Sequence, residues 1–237
     1  MKTPVETISL LRLSLAFVPV AIVVIYLFKW SLNGRTTLYA VARMLIQLML
    51  IGYVLTFVFT THSSLLVVAV LSLMLGMASW IALRPLAQKS GRTYLHALLA
   101  IVIGGVLTLA LVTQGVLRAD PWYAPPVIIP LAGMIFASCM NTISLSAERY
   151  HAECERGLTL AACRNAALQA ALIPLTNSLF AVGLVSLPGM MTGQILSGVD
   201  PLIAARYQIM VMAMLFGSSG IAAIVFLTLA ASRQPAN

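Results

Sequence analysis

Seven apolar stretches, each long enough to cross a bilayer, constrain this sequence more than any other feature. They cover residues 8–28, 38–59, 63–83, 94–117, 123–146, 166–190 and 202–231. One transmembrane helix needs about 20 mainly apolar residues. Only 8% of the residues are charged, whereas a soluble domain carries about 25%. We therefore expect an all-α, polytopic integral membrane protein in which residues 1–237 form a single transmembrane domain.

The charges of the connecting loops predict an orientation. Short cytoplasmic loops carry an excess of Lys and Arg. The loops after the first, third and fifth stretches and the C-terminal tail hold most of the basic residues: Lys29, Arg35, Arg84, Lys89, Arg92, Arg149, Arg156, Arg164 and Arg233. The other loops hold His62, Arg118, Asp120, Asp200 and Arg206. This pattern predicts a multi-pass membrane protein with the C-terminus in the cytoplasm and the N-terminus outside.

The sixth stretch allows two interpretations. Pro174 and the pair Pro188-Gly189 interrupt it, and a proline inside a helix removes a hydrogen bond and kinks the helix. It is therefore either one kinked span over residues 166–190 or a shorter helix followed by a re-entrant segment at 186–198. We favour the kinked span, because it preserves the alternation of loop charge.

Glycines accompany these prolines. Gly189 and Gly193 are four residues apart, a spacing that allows close helix contact, and Gly183 precedes them. Together with Pro174 and Pro188, they predict a hinge or a tight contact with a second copy. A simple packing kink is the alternative.

The longest polar connection covers residues 147–165. It contains three of the six acidic residues in the chain, together with three arginines: Glu148, Glu153, Glu155, Arg149, Arg156 and Arg164. The predicted orientation places this block in the cytoplasm, where it would meet a partner. His151, Cys154 and Cys163 also lie in it but lack a clear fourth ligand for structural zinc, so free thiols are the favoured interpretation.

Polar residues that interrupt the apolar stretches are candidates for lining a transport pathway. Arg43 and Gln47 lie four residues apart and therefore on one helical face, and Asn141 and Asn177 interrupt the fifth and sixth stretches. Arg43 has an alternative role, extending its side chain to the nearby interface. Gln47 could instead form a hydrogen bond between helices.

Methionines are frequent and fall into groups: Met74 and Met77; Met134 and Met140; Met190 and Met191; and Met210, Met212 and Met214. A thioether is a soft ligand suited to Cu(I), but methionine is also a common gap-filler in packed cores. Met210, Met212 and Met214 alternate along the chain and cannot share one helical face. Packing is therefore the favoured interpretation.

Several protein classes are disfavoured by missing residues. A phosphate-binding loop ends in Gly-Lys-Ser/Thr, whereas the Lys89-Ser90 pair follows Gln88. A membrane hydrolase would have to rely on Ser186 and His96, which lie in different stretches. An ATP-independent channel or secondary transporter remains an alternative, but such proteins usually carry intramembrane acids, and no acid lies deep in these stretches.

Three stretches of the sequence carry a resemblance to a known family. They are residues 42–55, with Arg43 and Gln47; residues 129–135, IPLAGMI; and residues 183–193, GLVSLPGMMTG, which are followed by GVDP at 198–201 and RYQIMV at 206–211. These residues resemble the Fet-type ABC transporter permeases, bacterial iron exporters related to plant aluminium-tolerance permeases. The likeness covers nearly the whole chain.

This resemblance implies a homodimeric permease that exports metal ions, iron above all, with a separate ABC ATPase subunit that binds and hydrolyses ATP. The chain itself would then need no cofactor. In such permeases a cytoplasmic coupling helix docks on the ATPase. The corresponding segment here is 147–165, with Glu148, Arg149, Glu153, Glu155, Arg156 and Gly157 as candidate docking residues. The match differs from the family pattern, because Gly157 precedes the leucines instead of following one.

Overall fold

The computed structural model describes residues 9–60, 63–86 and 90–231, and every regular element in these ranges is helical. The predicted all-α class is confirmed. Six helical segments are long and apolar enough to cross a membrane: Leu11–Lys29, Gly34–Phe59, Ser64–Ala82, Gly91–Val116, Pro125–Glu155 and Pro201–Ala231. They correspond to the first five predicted stretches and to the seventh. His62, Lys89 and Arg233, which contribute to the predicted orientation, lie outside the described residues.

The chain divides into two compact units, residues 1–62 and 63–237. The first unit contains α1 (Leu10–Leu15), α2 (Val18–Lys29) and α3 (Gly34–Thr60). Proline is well suited to the start of a helix because it has no N–H to satisfy there, and Pro19 lies in the first turn of α2. Helices α2 and α3 pack against each other. A Cβ at Gly34, the first residue of α3, would lie 2.9 Å from the Phe28 ring, so a larger residue there would require this ring to shift.

The second unit is built around two long helices. It contains α4 (Ser64–Ala82), α5 (Gly91–Ile101), α6 (Leu107–Ala110), α7 (Pro125–Glu155), α8 (Leu160–Ala181), α9 (Gly189–Leu196) and α10 (Pro201–Ala231). Helices α7 and α10 pack against each other, and each also packs against α5 and α8. One face of α7 is fully buried at Ala132, Ile135, Cys139 and Ile143, a spacing of three or four residues that places them on one side of the helix. These residues form the core.

The fourth predicted span is not a regular α-helix. Two π-helical segments, Val102–Val106 and Leu111–Val116, flank α6. A Cβ at Gly104 would lie 2.5 Å from the Ser218 carbonyl oxygen and 2.7 Å from the Ala222 nitrogen. The backbone of α10 therefore passes directly over Gly104. The hydroxyl of Thr108 donates to the Gly104 carbonyl at 2.6 Å, which gives this carbonyl a partner within the widened turn.

The predicted kinked span over residues 166–190 is wrong. Helix α8 continues through Pro174 and ends at Ala181, and a short α9 begins only at Gly189. The chain turns at Gly183, which has φ +83°, a conformation that residues with a Cβ rarely adopt. The structure therefore agrees with the alternative of a shorter helix followed by a separate segment. Helix α8 is not among the six candidate spans, and its first half carries Arg164, Asn165 and Gln169.

Candidate functional site

The polar block 147–165 forms the tip of a helical hairpin. Helix α7 continues past the predicted end of the fifth stretch to Glu155, a turn covers residues 156–159, and α8 begins at Leu160. The two helices pack closely against each other. The predicted coupling segment 147–165 therefore consists of the last turns of α7, the turn 156–159 and the start of α8.

Capping interactions fix the turn of this tip. The Gly157 N–H donates to the Cys154 carbonyl at 3.0 Å, and the Leu158 N–H donates to the Glu153 carbonyl at 3.4 Å. These two bonds form a Schellman motif, which needs a left-handed residue after the helix, and Gly157 has φ +81°. The hydroxyl of Thr159 then accepts from the Ala162 N–H at 3.3 Å and caps α8. Residues 156–159 therefore form a defined turn.

A buried carboxylate organises the charges at the tip. Glu153 is only 4% exposed. Its Oε1 lies 2.6 Å from Arg149 Nη2 and 3.3 Å from Arg156 Nη1. Both arginine side chains remain partly exposed, at 42% and 66%. Glu153 was expected to be part of a docking surface, but it has no free face and instead orients the two arginines.

The remaining predicted docking residues are accessible at the tip. Glu148, Glu155, Arg156 and Gly157 are exposed and Arg149 is half-buried. Leu158 is exposed as well, at 45%. The tip thus combines charges of both signs with one apolar side chain at the turn. Such a combination suits a protein surface better than a small-ion site.

Arg43 and Gln47 lie on one face of α3 in the first unit, as the spacing predicts. With the Gln47 amide oriented so that its oxygen faces Arg43, this oxygen accepts from Nε at 3.1 Å and from Nη2 at 3.3 Å. Gln47 is exposed and Arg43 is half-buried. The pair is therefore a preformed polar patch on the side of an apolar helix.

Asn141 on α7 and Asn177 on α8 are both exposed on the second unit. At about 1.5 Å per residue, Asn141 lies about 21 Å from the tip end of α7 and Asn177 about 26 Å from the tip end of α8. The two amides are therefore at similar depths on adjacent, antiparallel helices. Neither is enclosed by this chain, so another molecule would have to complete a polar pathway there.

The predicted hinge and packing residues surround the other end of α8. Pro174 lies inside the helix, and the Ser178 hydroxyl donates to its carbonyl at 2.9 Å. Gly183 forms the turn, and Pro188 caps the start of α9. A Cβ at Gly189 or Gly193 would meet nothing within 4 Å. Neither of these two glycines therefore serves a close contact within the described part of the chain.

Sequence reasoning missed two cavities next to α9. One, of about 340 Å³, is lined by three methionines that are far apart in sequence: Met134, Met190 and Met210. The other, of about 430 Å³, is lined by Met191, Met212 and Gln208. Gln208 is buried, and its Oε1 has no hydrogen-bond partner among the described residues. The methionine groups were visible in the sequence, but their convergence depends on how α7, α9 and α10 pack.

Within the described ranges, no group of three or more His, Cys, Asp or Glu side chains is placed to hold a metal ion. The three cysteines are unpaired by disulfides. His151 is exposed whereas Cys163 is fully buried. These residues therefore do not share an accessible face suited to zinc.

Comparison with known proteins identifies the family. The sequence pattern of the family described as "Uncharacterised protein family (UPF0014)" matches residues 8–234, nearly the whole chain. The chain belongs to the UPF0014 family. The predicted resemblance to Fet-type permeases and plant aluminium-tolerance proteins is confirmed, because such proteins are among the UPF0014 relatives of this chain. The six apolar helices and the family together establish a multi-pass membrane protein.

Three UPF0014 relatives illustrate the likeness. The "UPF0014 membrane protein slr1647" of Synechocystis is 35% identical over 79% of each chain. The "Probable iron export permease protein FetB" of Escherichia coli is 32% identical over 91% of this chain and 87% of its own length. The "Protein ALUMINUM SENSITIVE 3" of Arabidopsis thaliana is 31% identical over 89% of this chain and 81% of its own length. No solved structure matches the chain significantly.

Proposed function

We propose that this chain is the permease subunit of an ABC transporter that exports metal ions, with iron as the first candidate, across the bacterial inner membrane. The likeness to FetB over most of both chains carries this proposal. A separate ATPase subunit binds and hydrolyses ATP, and the permease itself holds no cofactor. The loop charges before and within the hairpin tip support an orientation with this tip in the cytoplasm.

The hairpin tip supports the docking of an ATPase. A coupling element has to be rigid to transmit motion, and the tip is fixed by the Schellman turn, by the Thr159 cap and by the buried Glu153. It is continuous with α7, which packs along α10 and α4. A displacement of the tip would therefore move the core helices as one body. This motion would shift the permease between an inward-open and an outward-open state.

The exposed asparagines support a homodimer. A polar amide that faces hydrocarbon is unfavourable, whereas hydrogen bonds between helices satisfy it. Asn141 and Asn177 are exposed at similar depths in the single chain. Two copies that meet along α7 and α8 would enclose four such amides in a polar pathway. In the first unit, the polar patch of Arg43 and Gln47 is a separate candidate for lining a transport pathway.

Charge reversal at the tip tests the docking proposal. In a tagged chain purified from its source cells in mild detergent, an ATPase with a Gly-Lys-Ser/Thr phosphate loop should co-purify in a fixed ratio. The double variant Glu148→Lys, Glu155→Lys reverses two exposed charges and leaves the Glu153 ion pairs in place. We expect the amount of bound ATPase to fall at least about tenfold, because like charges across an interface cost several kcal/mol.

Arg206→Glu is the matched control, since it reverses an exposed charge in the first turns of α10. It should bind the ATPase normally. If the control lost the ATPase while the tip variant bound it normally, the start of α10 and not the hairpin tip would face the ATPase, which would contradict the proposed orientation. Equal binding in all three proteins would refute docking through the tip.

A further inference from the structure

Three methionine side chains from three different helices meet at one cavity of the second unit. Met134 comes from α7, Met190 from α9 and Met210 from α10, and the cavity has a volume of about 340 Å³. All three side chains are half-buried. Tyr207 also lines this cavity. The cavity lies at the end of α7 that is opposite the hairpin tip.

We propose that this cavity binds a soft monovalent cation of the Cu(I) and Ag(I) class through the three thioethers. Thioether sulfur is a neutral, soft ligand that favours Cu(I), whereas hard divalent ions need carboxylate or carbonyl oxygens. None of the residues that line the cavity is acidic. Because these ligands are neutral, a monovalent cation costs less desolvation energy in this cavity than a divalent cation does.

The cavity wall can adjust to an ion of this size. Methionine has three rotatable bonds and a polarisable sulfur, so the side chains can turn inward around a cation that is smaller than the open volume. The aromatic face of Tyr207 can add a cation–π contact. Pro130, which also lines the cavity, has no N–H, so the Pro126 carbonyl beside it receives no helical hydrogen bond from position 130.

Gap-filling is the competing role for these methionines. It accounts well for Met77, which lines another cavity beside Trp80 and Tyr94 and is the one methionine there. It does not require methionines from α7, α9 and α10 to share one cavity, because other apolar side chains also fill space. Met77 is therefore a suitable internal control.

Methyl NMR of the full chain tests this site directly. The protein is labelled with ¹³C at the methionine methyl groups, reconstituted in nanodiscs and titrated with Ag⁺. We expect the methyl signals of Met134, Met190 and Met210 to shift together and to saturate at one Ag⁺ per chain, while Met77 stays unchanged. Because each methionine is observed separately, Ag⁺ bound by Cys139, Cys154 or Cys163 cannot be mistaken for binding at this cavity.

Single Met→Leu variants assign the signals and test the ligand set, and they nearly conserve side-chain volume. Met134→Leu, Met190→Leu and Met210→Leu should each weaken Ag⁺ binding at least about tenfold, the lower bound for loss of even an outer-shell partner. Met77→Leu should bind as the unmodified chain does. Excess Zn²⁺ should not displace Ag⁺.

Three results would overturn the site: unshifted signals of the three methionines, equal shifts at all methionines, or displacement of Ag⁺ by Zn²⁺. Binding is measured without the ATPase. A failed titration would therefore count against the cation site alone, and loss of ATPase pairing would count against the proposed function alone.

Discussion

At each end of α8 the chain turns at a glycine in the left-handed conformation, but the side chains beside the two glycines differ: they are charged at one end and apolar at the other. At the tip, Gly157 has φ +81°, and beyond the other end Gly183 has φ +83°. Exposed Glu155 and Arg156 directly precede the first glycine. Leu184 and Val185 follow the second and are 89% and 85% exposed.

This difference shows that the backbone conformation of a turn and the medium around the turn are determined by different residues. Glycine and hydrogen bonds set both turns, through the Schellman motif at Gly157 and through the bond from the Gly183 N–H to the Ser186 carbonyl at 3.0 Å. The side chains then suit different media. Charges are stable in water or against a protein, whereas exposed leucine and valine are stable in hydrocarbon or in an apolar contact.

The largest effect is expected from a change in the core that supports both turns. Gly104→Ala would push a Cβ against the backbone of α10, and the cost of overpacking should be about 3 kcal/mol. Gly217→Ala on α10 is the matched control, because its Cβ would meet nothing within 4 Å. The midpoint of SDS-induced unfolding measures the stability of each variant relative to the unmodified chain. Equal midpoints would show that α10 does not pass closely over Gly104.

A medium effect is expected from the buried acid at the tip. Glu153→Gln removes the charge that two partly exposed arginines share, so we expect a loss of about 1–2 kcal/mol, between the values for exposed and buried ion pairs. Glu155→Gln alters an exposed neighbour and should change stability by less than about 0.5 kcal/mol. Thermal unfolding in detergent compares the two. A larger loss in Glu155→Gln would contradict the assignment of Glu153 as the organising residue.

An effect of similar size is expected from the left-handed glycine that both turns share. Gly157→Ala and Gly183→Ala each force a residue with a Cβ into the left-handed region, at a cost of about 1–2 kcal/mol. The two losses should be similar, but only Gly157→Ala should weaken ATPase association. Gly193→Ala, within α9 and without close neighbours, should be neutral or slightly stabilising. If both Gly157→Ala and Gly183→Ala weakened ATPase association, the claim that the ATPase docks only at the Gly157 end of α8 would be contradicted.

Length and apolar composition were sufficient to predict the all-α class and most spans. The predicted stretch 202–231 differs from α10 by one residue at its start, because Asp200-Pro201 marks the beginning of that helix. The polar block was also located correctly. Its charges could not reveal that α7 continues to Glu155, since helix propensity persists in a polar segment.

The remaining features depend on packing. Gly104 is one of 15 glycines, and only the approach of α10 makes it special. Met134, Met190 and Met210 are far apart in sequence and meet only when three helices assemble. The end of α8 at Ala181 was missed because Pro174 lies within the helix without interrupting it, so the later turn at Gly183 was the true break.

ATP-driven metal movement in proteoliposomes tests the central claim most directly. The permease and its co-purified ATPase are reconstituted together, and radioactive iron is supplied on the side that carries the hairpin tip. The account predicts that ATP on that side drives iron away from it. Iron movement should stop with a hydrolysis-deficient ATPase and with the tip variant Glu148→Lys, Glu155→Lys. Iron movement at the same rate without ATP or without the ATPase would contradict the account and favour a channel or secondary transporter.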